Sequence, residues 1–239
     1  LEAFVDNVKN EPIISTLPKK GKITKEKENT TFGYKELQLS NGARVILKKT
    51  DYKKDEVILK ANAVGGTSEY DSKDFANIKL FNDVVEASGL GNFTSTELQK
   101  ALAGKIAGVS LSMSNTRVNI GGSSTPKDVE TMFQLLYLTF TKLNKDQEAY
   151  DNLMKQYELY LKNMSLSPDA AFSDSVSVTM NCHNPRFATI TENDLKQVNY
   201  DRILEMAARA TSNAAAFTFF IIGNYDEAAI RPLIEQYVA

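Results

Sequence analysis

The amino-acid sequence predicts an α+β domain, in which helices pack on an antiparallel-dominated sheet of about six strands. Apolar and polar residues alternate on both sides of Asn41-Gly42, and this dipeptide is the strongest short-range signal of a β-hairpin. The same alternation flanks Asn115 and predicts a second hairpin. A block of helical patterns follows, and then one apolar strand at 216–224. Strands that are paired in hairpins argue against a doubly wound parallel sheet.

The first half of the domain adds a third strand and two helices. The segment 56–66, EVILKANAVGG, has one apolar and one mixed face, which predicts a strand in a sheet covered on one side. A polar loop at 67–74 leads into an amphipathic helix that ends before Gly89. Thr94 and Glu97 are spaced as a capping box, which predicts the start of the next helix.

The second half is mostly helical. Each predicted helix has a recognisable start, such as a capping side chain or a proline in the first turn. These starts lie at Thr125, Asp146, Pro168, Thr191, Asn199 and Asp226. The long helix at 146–163 carries three tyrosines near one face, at 150, 157 and 160, and packing at a domain boundary is favoured for them over peptide binding.

Residues 1–33 differ from the rest of the chain. They hold two prolines, five lysines between Lys19 and Lys27, and little periodicity, with regular structure expected to begin near Tyr34. We interpret 1–33 as an interdomain linker or arm, with a basic patch for an acidic partner as the less favoured alternative. No repeat or low-complexity tract interrupts 34–239, which we count as one domain.

Composition excludes some classes of function. The net charge of -2 and pI of about 5.6 give no reason to expect nucleic-acid binding. No apolar run approaches the roughly 18–20 residues that span a bilayer. The single cysteine, Cys182, allows no internal disulfide.

Few residues could carry catalysis or bind a metal. The one histidine, His183, follows Cys182 directly, and adjacent helical side chains point too far apart for a Cys-His pair. A histidine at a helix end also suits the negative end of the helix dipole, so a structural role is favoured. The acidic residues Glu69, Asp71 and Asp74 are expected to be solvated loop residues.

Several segments together resemble one homology domain of the pitrilysin/insulinase family of zinc metallopeptidases, the inverzincins. LSNGARVILKKTD resembles the family's opening hairpin, and ANAVGGTSEYD its third strand and small-residue turn. LQKALAGKIAGVSLSMS and GGSSTPKDVETMFQLLYLTFT resemble the next helix, hairpin and helix. FTFFIIGNYDEAAIRPLIEQYVA resembles the terminal strand and helix. The resemblance covers 34–239 and implies the fold of a mitochondrial-processing-peptidase-like metallohydrolase domain.

The resemblance also identifies where a metal site would lie. Active members carry H-x-x-E-H on the helix after the small-residue turn, with two zinc-binding histidines and a water-activating glutamate. Here that frame falls on Lys79, Asn82 and Asp83, and only the aspartate could bind a metal. The family's third ligand would fall near Tyr157–Tyr160, where Glu158 is the only carboxylate. We therefore expect no catalytic, cofactor-binding or metal-binding residue in this chain.

The resemblance implies a noncatalytic domain of a bacterial zinc metalloendopeptidase, which helps to enclose unfolded peptide substrates in a chamber. The segments look most similar to the large bacterial members, which have four such domains, and we expect this chain to be the third copy. Zinc is then expected in another domain, the partners are the other domains of the polypeptide and the peptide substrate, and the location is the cell envelope, in the periplasm, with the cytoplasm as an alternative.

Two other functions stay open. The chain could be a structural or scaffolding protein of the same fold, without a peptidase on the same polypeptide. It could also be an unrelated enzyme that uses Cys182. An H-x-x-E-H motif upstream in the full reading frame would favour the peptidase domain over the scaffold.

Overall fold

A computed structural model describes residues 9, 11–164 and 166–239. In this part of the chain nine strands form one seven-stranded sheet and one two-stranded sheet. The strands are β1 (Ile23–Asn29), β2 (Tyr34–Leu39), β3 (Arg44–Lys49), β4 (Val57–Val64), β5 (Gly89–Leu90), β6 (Ala107–Met113), β7 (Arg117–Ser124), β8 (Leu143–Asn144) and β9 (Thr218–Gly223).

Eight α-helices lie in the described residues, and the predicted caps are present on several of them. The Thr94 and Thr191 side chains each complete a capping box, as their sequence spacing predicts. The helices are α1 (Phe75–Ala87), α2 (Ser95–Ala101), α3 (Val129–Thr141), α4 (Gln147–Met164), α5 (Pro168–Met180), α6 (Glu192–Leu195), α7 (Tyr200–Ala210) and α8 (Glu227–Tyr237).

The large sheet has the order β1-β2-β3-β9-β4-β7-β6. Both predicted hairpins, β2–β3 and β6–β7, are present, and every neighbouring pair is antiparallel except β3–β9. The α+β fold class is therefore confirmed, with seven strands in place of about six. The late strand β9 inserts between β3 and β4, so the first three predicted strands are not all neighbours.

Strand β1 lies inside the segment interpreted as a linker, so the expectation that regular structure begins near Tyr34 was wrong. Its sequence, ITKEKEN, is polar and mostly exposed, so it lacks the apolar alternation that identifies a half-buried strand. It pairs with β2, and Glu26 forms an ion pair with Arg231 of α8 at 2.7 Å. Residues 1–8 and 10 of that segment lie outside the described residues, and the domain boundary at residue 33 stays a prediction.

One face of the sheet forms the core. Along β4, alternate residues from Val57 to Ala63 are buried, as the strand pattern predicts. Helices α1 and α3 both pack against β6, while α1 also packs on α7 and α3 on α8. The largest fully buried side chains include Phe81, Phe133 and Phe219. Burial of such apolar surface is the main stabilising contribution to the fold.

Helices α4 and α5 form an outer layer, and neither contains a fully buried residue. Helix α4 packs on α1 and α6, and its Tyr150 ring stacks on Tyr200 of α7 with centroids 4.6 Å apart. On α5, Phe172, Val176 and Met180 are exposed. No helix within the described residues has the length and apolar character needed to cross a bilayer.

Candidate functional site

Helix α1 is held at the edge of the sheet by a turn that requires glycine. Gly66 has a φ of 91°, and a Cβ atom there would lie 2.2 Å from the Ser114 carbonyl oxygen. After this turn, the apolar stripe of α1 is buried against the sheet and α7. Lys79, Asn82 and Asp83 lie outside that stripe, and their side chains contact α6, the edge strand β6 and α4, respectively.

Lys79 forms an ion pair with Asp194 of α6. Its Nζ lies 2.9 Å from Asp194 Oδ2, and the two side chains are only 12% and 19% exposed. Burial acts to raise the pKa of Asp194, but hydrogen bonds from Lys79 and from Thr191 outweigh it and hold the pKa below its usual value. The Lys79 ammonium group therefore serves to hold α6 against α1.

Asn82 binds the backbone of the edge strand β6. Its Oδ1 accepts a hydrogen bond from the Met113 N–H at 2.8 Å, and its Nδ2 donates to the Met113 carbonyl at 3.3 Å. Met113 belongs to β6, the strand at one edge of the large sheet. A side-chain amide can satisfy a donor and an acceptor together, whereas a carboxylate can only accept. Asparagine at this position thus ties α1 to the sheet edge.

Asp83 contacts α4 through a single strong hydrogen bond. The Tyr157 hydroxyl donates to Asp83 Oδ2 at 2.5 Å, and both side chains are half-buried. Burial, together with this hydrogen bond, raises the pKa of the Tyr157 phenol well above its usual value, so the phenol stays protonated. The structure thus brings together the frame on α1 and the region where the family's third ligand is expected.

These residues do not fit a zinc ion. An ammonium group has no lone pair to donate, an amide is not a usual zinc ligand, and the remaining carboxylate would supply a single ligand where zinc needs at least three. Glu158 lies next to Tyr157 along α4 but lines a different cleft, together with Lys196. Across the described residues, no group of three or more His, Cys, Asp or Glu side chains could hold a metal ion.

An open cleft of about 510 Å³ lies beside the frame. We call it the Asp83 cleft, and it runs between α4 and the segment that precedes α6. Its lining includes Asp83, Leu153, Gln156, Tyr157, Tyr160 and Ile190. It combines one carboxylate with two aromatic rings and aliphatic side chains.

A second polar cluster, at the start of α1, was missed. Asp74 is buried, 8% exposed, and accepts from Arg202 Nε at 3.0 Å and from Arg202 Nη2 at 2.8 Å. Its Oδ1 also accepts from Asn77, whose own Oδ1 accepts from the Asn199 N–H at 2.8 Å. The expectation of a solvated Asp74 was wrong, because Arg202 lies 128 residues away and gives no local signal.

Glu69 and Asp71, the other two acidic residues of that loop, are exposed. Asp71 caps the turn that precedes α1 by accepting from the Lys73 N–H at 3.0 Å. Glu69 lies 3.4 Å from Arg209 of α7. Neither contact assembles a pair of carboxylates across a cleft.

Cys182 and His183 follow the end of α5. Both are exposed and both have left-handed backbone, with φ of 53° and 56°. Two consecutive left-handed residues reverse the chain after the helix, so the predicted helix end is present here. The pair lies on the outer layer, outside the lining of the Asp83 cleft.

No protein-family model matches the chain. It is similar in sequence to curated zinc proteases: 26% identical over 95% of its length to the zinc protease PQQL-like protein of Arabidopsis thaliana, and 26% identical over 89% to the probable zinc protease PqqL of Escherichia coli. The chain spans about a fifth of the length of these relatives, 21% and 23%.

Solved structures share the fold. The periplasmic protease PqqL from Escherichia coli matches the whole chain with a TM-score of 0.80 and 23% identity, over 26% of its own length. The ferredoxin protease FusC, solved in complex with Arabidopsis ferredoxin, matches 99% of the chain with a TM-score of 0.77 and 18% identity, over 27% of its length. A structure of the first half of PqqL matches 86% of the chain with a TM-score of 0.65 and 12% identity, over 46% of its own length. These relatives confirm the resemblance to the pitrilysin/insulinase family.

Proposed function

We propose that this chain, a homologue of the PqqL-type zinc proteases of the pitrilysin/insulinase family, is a noncatalytic domain of a larger zinc metalloendopeptidase. It supplies part of the wall of a chamber that encloses unfolded peptides. Zinc and the water-activating glutamate belong to another domain of the same polypeptide, and the parent protein works in the periplasm, as PqqL does by its description.

This proposal rests on the contacts of Lys79, Asn82 and Asp83, the residues in the H-x-x-E-H frame (the metal frame). All three bind other parts of the fold. Lys79 pairs with Asp194, Asn82 binds Met113 and Asp83 accepts from Tyr157. Each contact joins α1 to a different element, so the frame stabilises the fold without a metal. A half-buried ammonium in the frame also disfavours a divalent cation by charge repulsion.

The comparison with PqqL supports a later copy of the domain. The whole PqqL chain gives a TM-score of 0.80, whereas its first half alone gives 0.65. The higher TM-score for the whole chain is the support for a copy outside that first half. The chain also covers about a quarter of PqqL and about half of the first-half structure, which fits a polypeptide built from four such units.

The test measures zinc content and proteolysis with the 239-residue chain. The purified protein is equilibrated with zinc, freed of loosely bound metal by gel filtration, and analysed by mass spectrometry. Cleavage of an unfolded, fluorescence-quenched peptide is followed in parallel. We expect no stoichiometric zinc and no cleavage above a buffer blank. Stoichiometric zinc together with cleavage that a chelator abolishes would contradict the proposal.

The alternative is a scaffolding protein of the same fold with no peptidase on its polypeptide. The full reading frame separates the two. An H-x-x-E-H motif upstream supports the peptidase domain, and its absence from the whole frame supports the scaffold.

A further inference from the structure

We propose that the Asp83 cleft binds the cationic side chain of a lysine or arginine in an extended peptide. This inference rests on the proposed function, because it assigns the cleft to peptides held in the chamber. It adds a binding site and a preferred side-chain chemistry to a surface that would otherwise only enclose the substrate.

The carboxylate of the cleft lacks a cationic partner within the part of the chain that is described. Among the other buried or half-buried carboxylates, Asp74 pairs with Arg202, Asp194 with Lys79, and Glu227 with Lys35. The buried Asp146 has no such ion pair among the described residues, but each of its oxygens accepts a backbone N–H. Asp83 has only the neutral Tyr157 hydroxyl. A half-buried carboxylate with one neutral donor keeps accepting capacity on its other oxygen, and a charged donor forms the stronger hydrogen bond.

The aromatic rings of the cleft favour a cation as well. Tyr157 and Tyr160 lie edge to face, with centroids 6.4 Å apart, and Tyr160 is 49% exposed. Ring faces attract ammonium and guanidinium groups. Leu153 and Ile190 line the same cleft and provide apolar surface for the aliphatic stem of a lysine or arginine.

The same arrangement disfavours other ligands. An anionic side chain would be repelled by Asp83, and an apolar one would remove solvent from the second oxygen of that carboxylate without supplying a hydrogen-bond donor. One carboxylate is too few ligands for a metal ion. A volume of about 510 Å³ is within the range of small-ligand sites and can hold one long side chain.

The experiment measures binding of two fluorescein-labelled, unstructured peptides to the 239-residue chain by anisotropy at low salt. The peptides are identical except for one central residue, arginine in the first and citrulline in the second. Citrulline has nearly the same shape but no charge. We expect the arginine peptide to bind about tenfold more tightly, as charge-assisted hydrogen bonds and cation–π contacts predict.

Four variants assign the preference to the cleft. Asp83→Asn keeps the size of the side chain and should abolish the preference, whereas Asp83→Glu keeps the charge and should retain it. Tyr160→Leu should reduce it. Glu86→Gln, which removes a carboxylate from the exposed side of the same helix, is the matched control and should change nothing. Circular dichroism and urea unfolding establish that each variant is folded.

Equal binding of the two peptides, no binding of either, or a preference that survives in Asp83→Asn overturns the inference. If Asp83→Asn fails to fold, the Tyr160→Leu and Glu86→Gln pair decides in its place. Failure here leaves the proposed function standing, because that function is tested by zinc content and cleavage and does not depend on which side chain the wall prefers.

Discussion

Helix α1 carries two polar clusters that differ in burial and in their hydrogen-bond partners. At its start, Asp74 and Asn77 are buried and bonded to Arg202 and Asn199 of the α7 region. One turn later, the frame residues are only half-buried or exposed, and Asp83 lines an open cleft. We call the first the closed cluster, because its polar groups bond to one another inside the fold. We call the second the open cluster, because the Asp83 carboxylate is accessible from the cleft.

The difference follows from charge matching inside the fold. Asp74 receives two hydrogen bonds from a guanidinium, which has the geometry to satisfy both carboxylate oxygens at once. Asp83 receives one hydrogen bond from a phenol. Both oxygens of Asp74 are therefore occupied within the fold, whereas one oxygen of Asp83 has no hydrogen-bond donor among the described residues.

The largest effect is expected from rebuilding the metal frame. A variant that combines Lys79→His, Asn82→Glu, Asp83→His and Tyr157→Glu supplies two histidines, a glutamate base and a carboxylate on α4. We expect this variant to bind one zinc ion per chain where the wild type binds none, measured by calorimetric titration.

The control for the rebuilt frame is the same variant with Lys79 retained, which should lose most of the zinc affinity. Equal zinc binding by the wild type and the rebuilt chain would show that the frame is not the relevant metal position.

Among the variants tested for stability, removal of the Asp74 carboxylate should lower the free energy of unfolding the most. Asp74→Ala leaves Arg202 and Asn77 without their acceptor, and we expect a loss of about 2–3 kcal/mol in the free energy of unfolding. Urea denaturation measures it. Glu86→Gln, on the exposed side of the same helix, should change this free energy by less than about 0.5 kcal/mol. Similar losses for the two variants would refute the distinction between closed and exposed polar positions.

A smaller loss of stability is expected when the hydrogen bond between Tyr157 and Asp83, in the open cluster, is removed. Tyr157→Phe removes the hydroxyl that binds Asp83 but keeps the ring in place, and we expect a loss of about 1 kcal/mol. The companion variant Tyr157→Phe with Asp83→Leu removes both partners and should recover part of the loss. A loss for Tyr157→Phe as large as that for Asp74→Ala would remove the contrast between the clusters.

The closed cluster should also respond to acid. The Arg202 guanidinium holds the pKa of Asp74 below its usual value of 3.8, against the opposing effect of burial. A lowered carboxyl pKa stabilises the folded state above the unfolded pKa, and this stabilisation is lost as pH falls through the folded pKa. The stability difference between the wild type and Asp74→Asn should therefore be constant above about pH 5 and shrink toward pH 3. A difference that grows on acidification would contradict the assignment.

Local sequence signals predicted much of the fold. Asn41-Gly42 placed the first hairpin, and Thr94 with Glu97 placed the start of α2, because these signals act between residues close in the chain. The assignment of the metal frame to Lys79, Asn82 and Asp83 depends on the resemblance alone and stays a prediction, whereas the contact of Asp83 with Tyr157 is observed.

Other features had no local signal. Strand β1 is polar on both faces, so its pairing with β2 is not visible as an apolar pattern. Strand β9 was predicted as a strand, but its position between β3 and β4 depends on residues more than 150 positions apart. The pairing of Asp74 with Arg202 was missed for the same reason.

The sequence by itself therefore determined the fold class, the hairpins and the caps, whereas the degenerate metal frame stays a prediction from side-chain chemistry and the resemblance. These depend on backbone propensity, on apolar periodicity and on side-chain chemistry, which are properties of neighbouring residues. Only the tertiary structure decided what each frame residue contacts, and that Asp83 lines an open cleft. Those outcomes depend on which distant groups the packed helices bring together, because the partners of Lys79, Asn82 and Asp83 all lie on other elements.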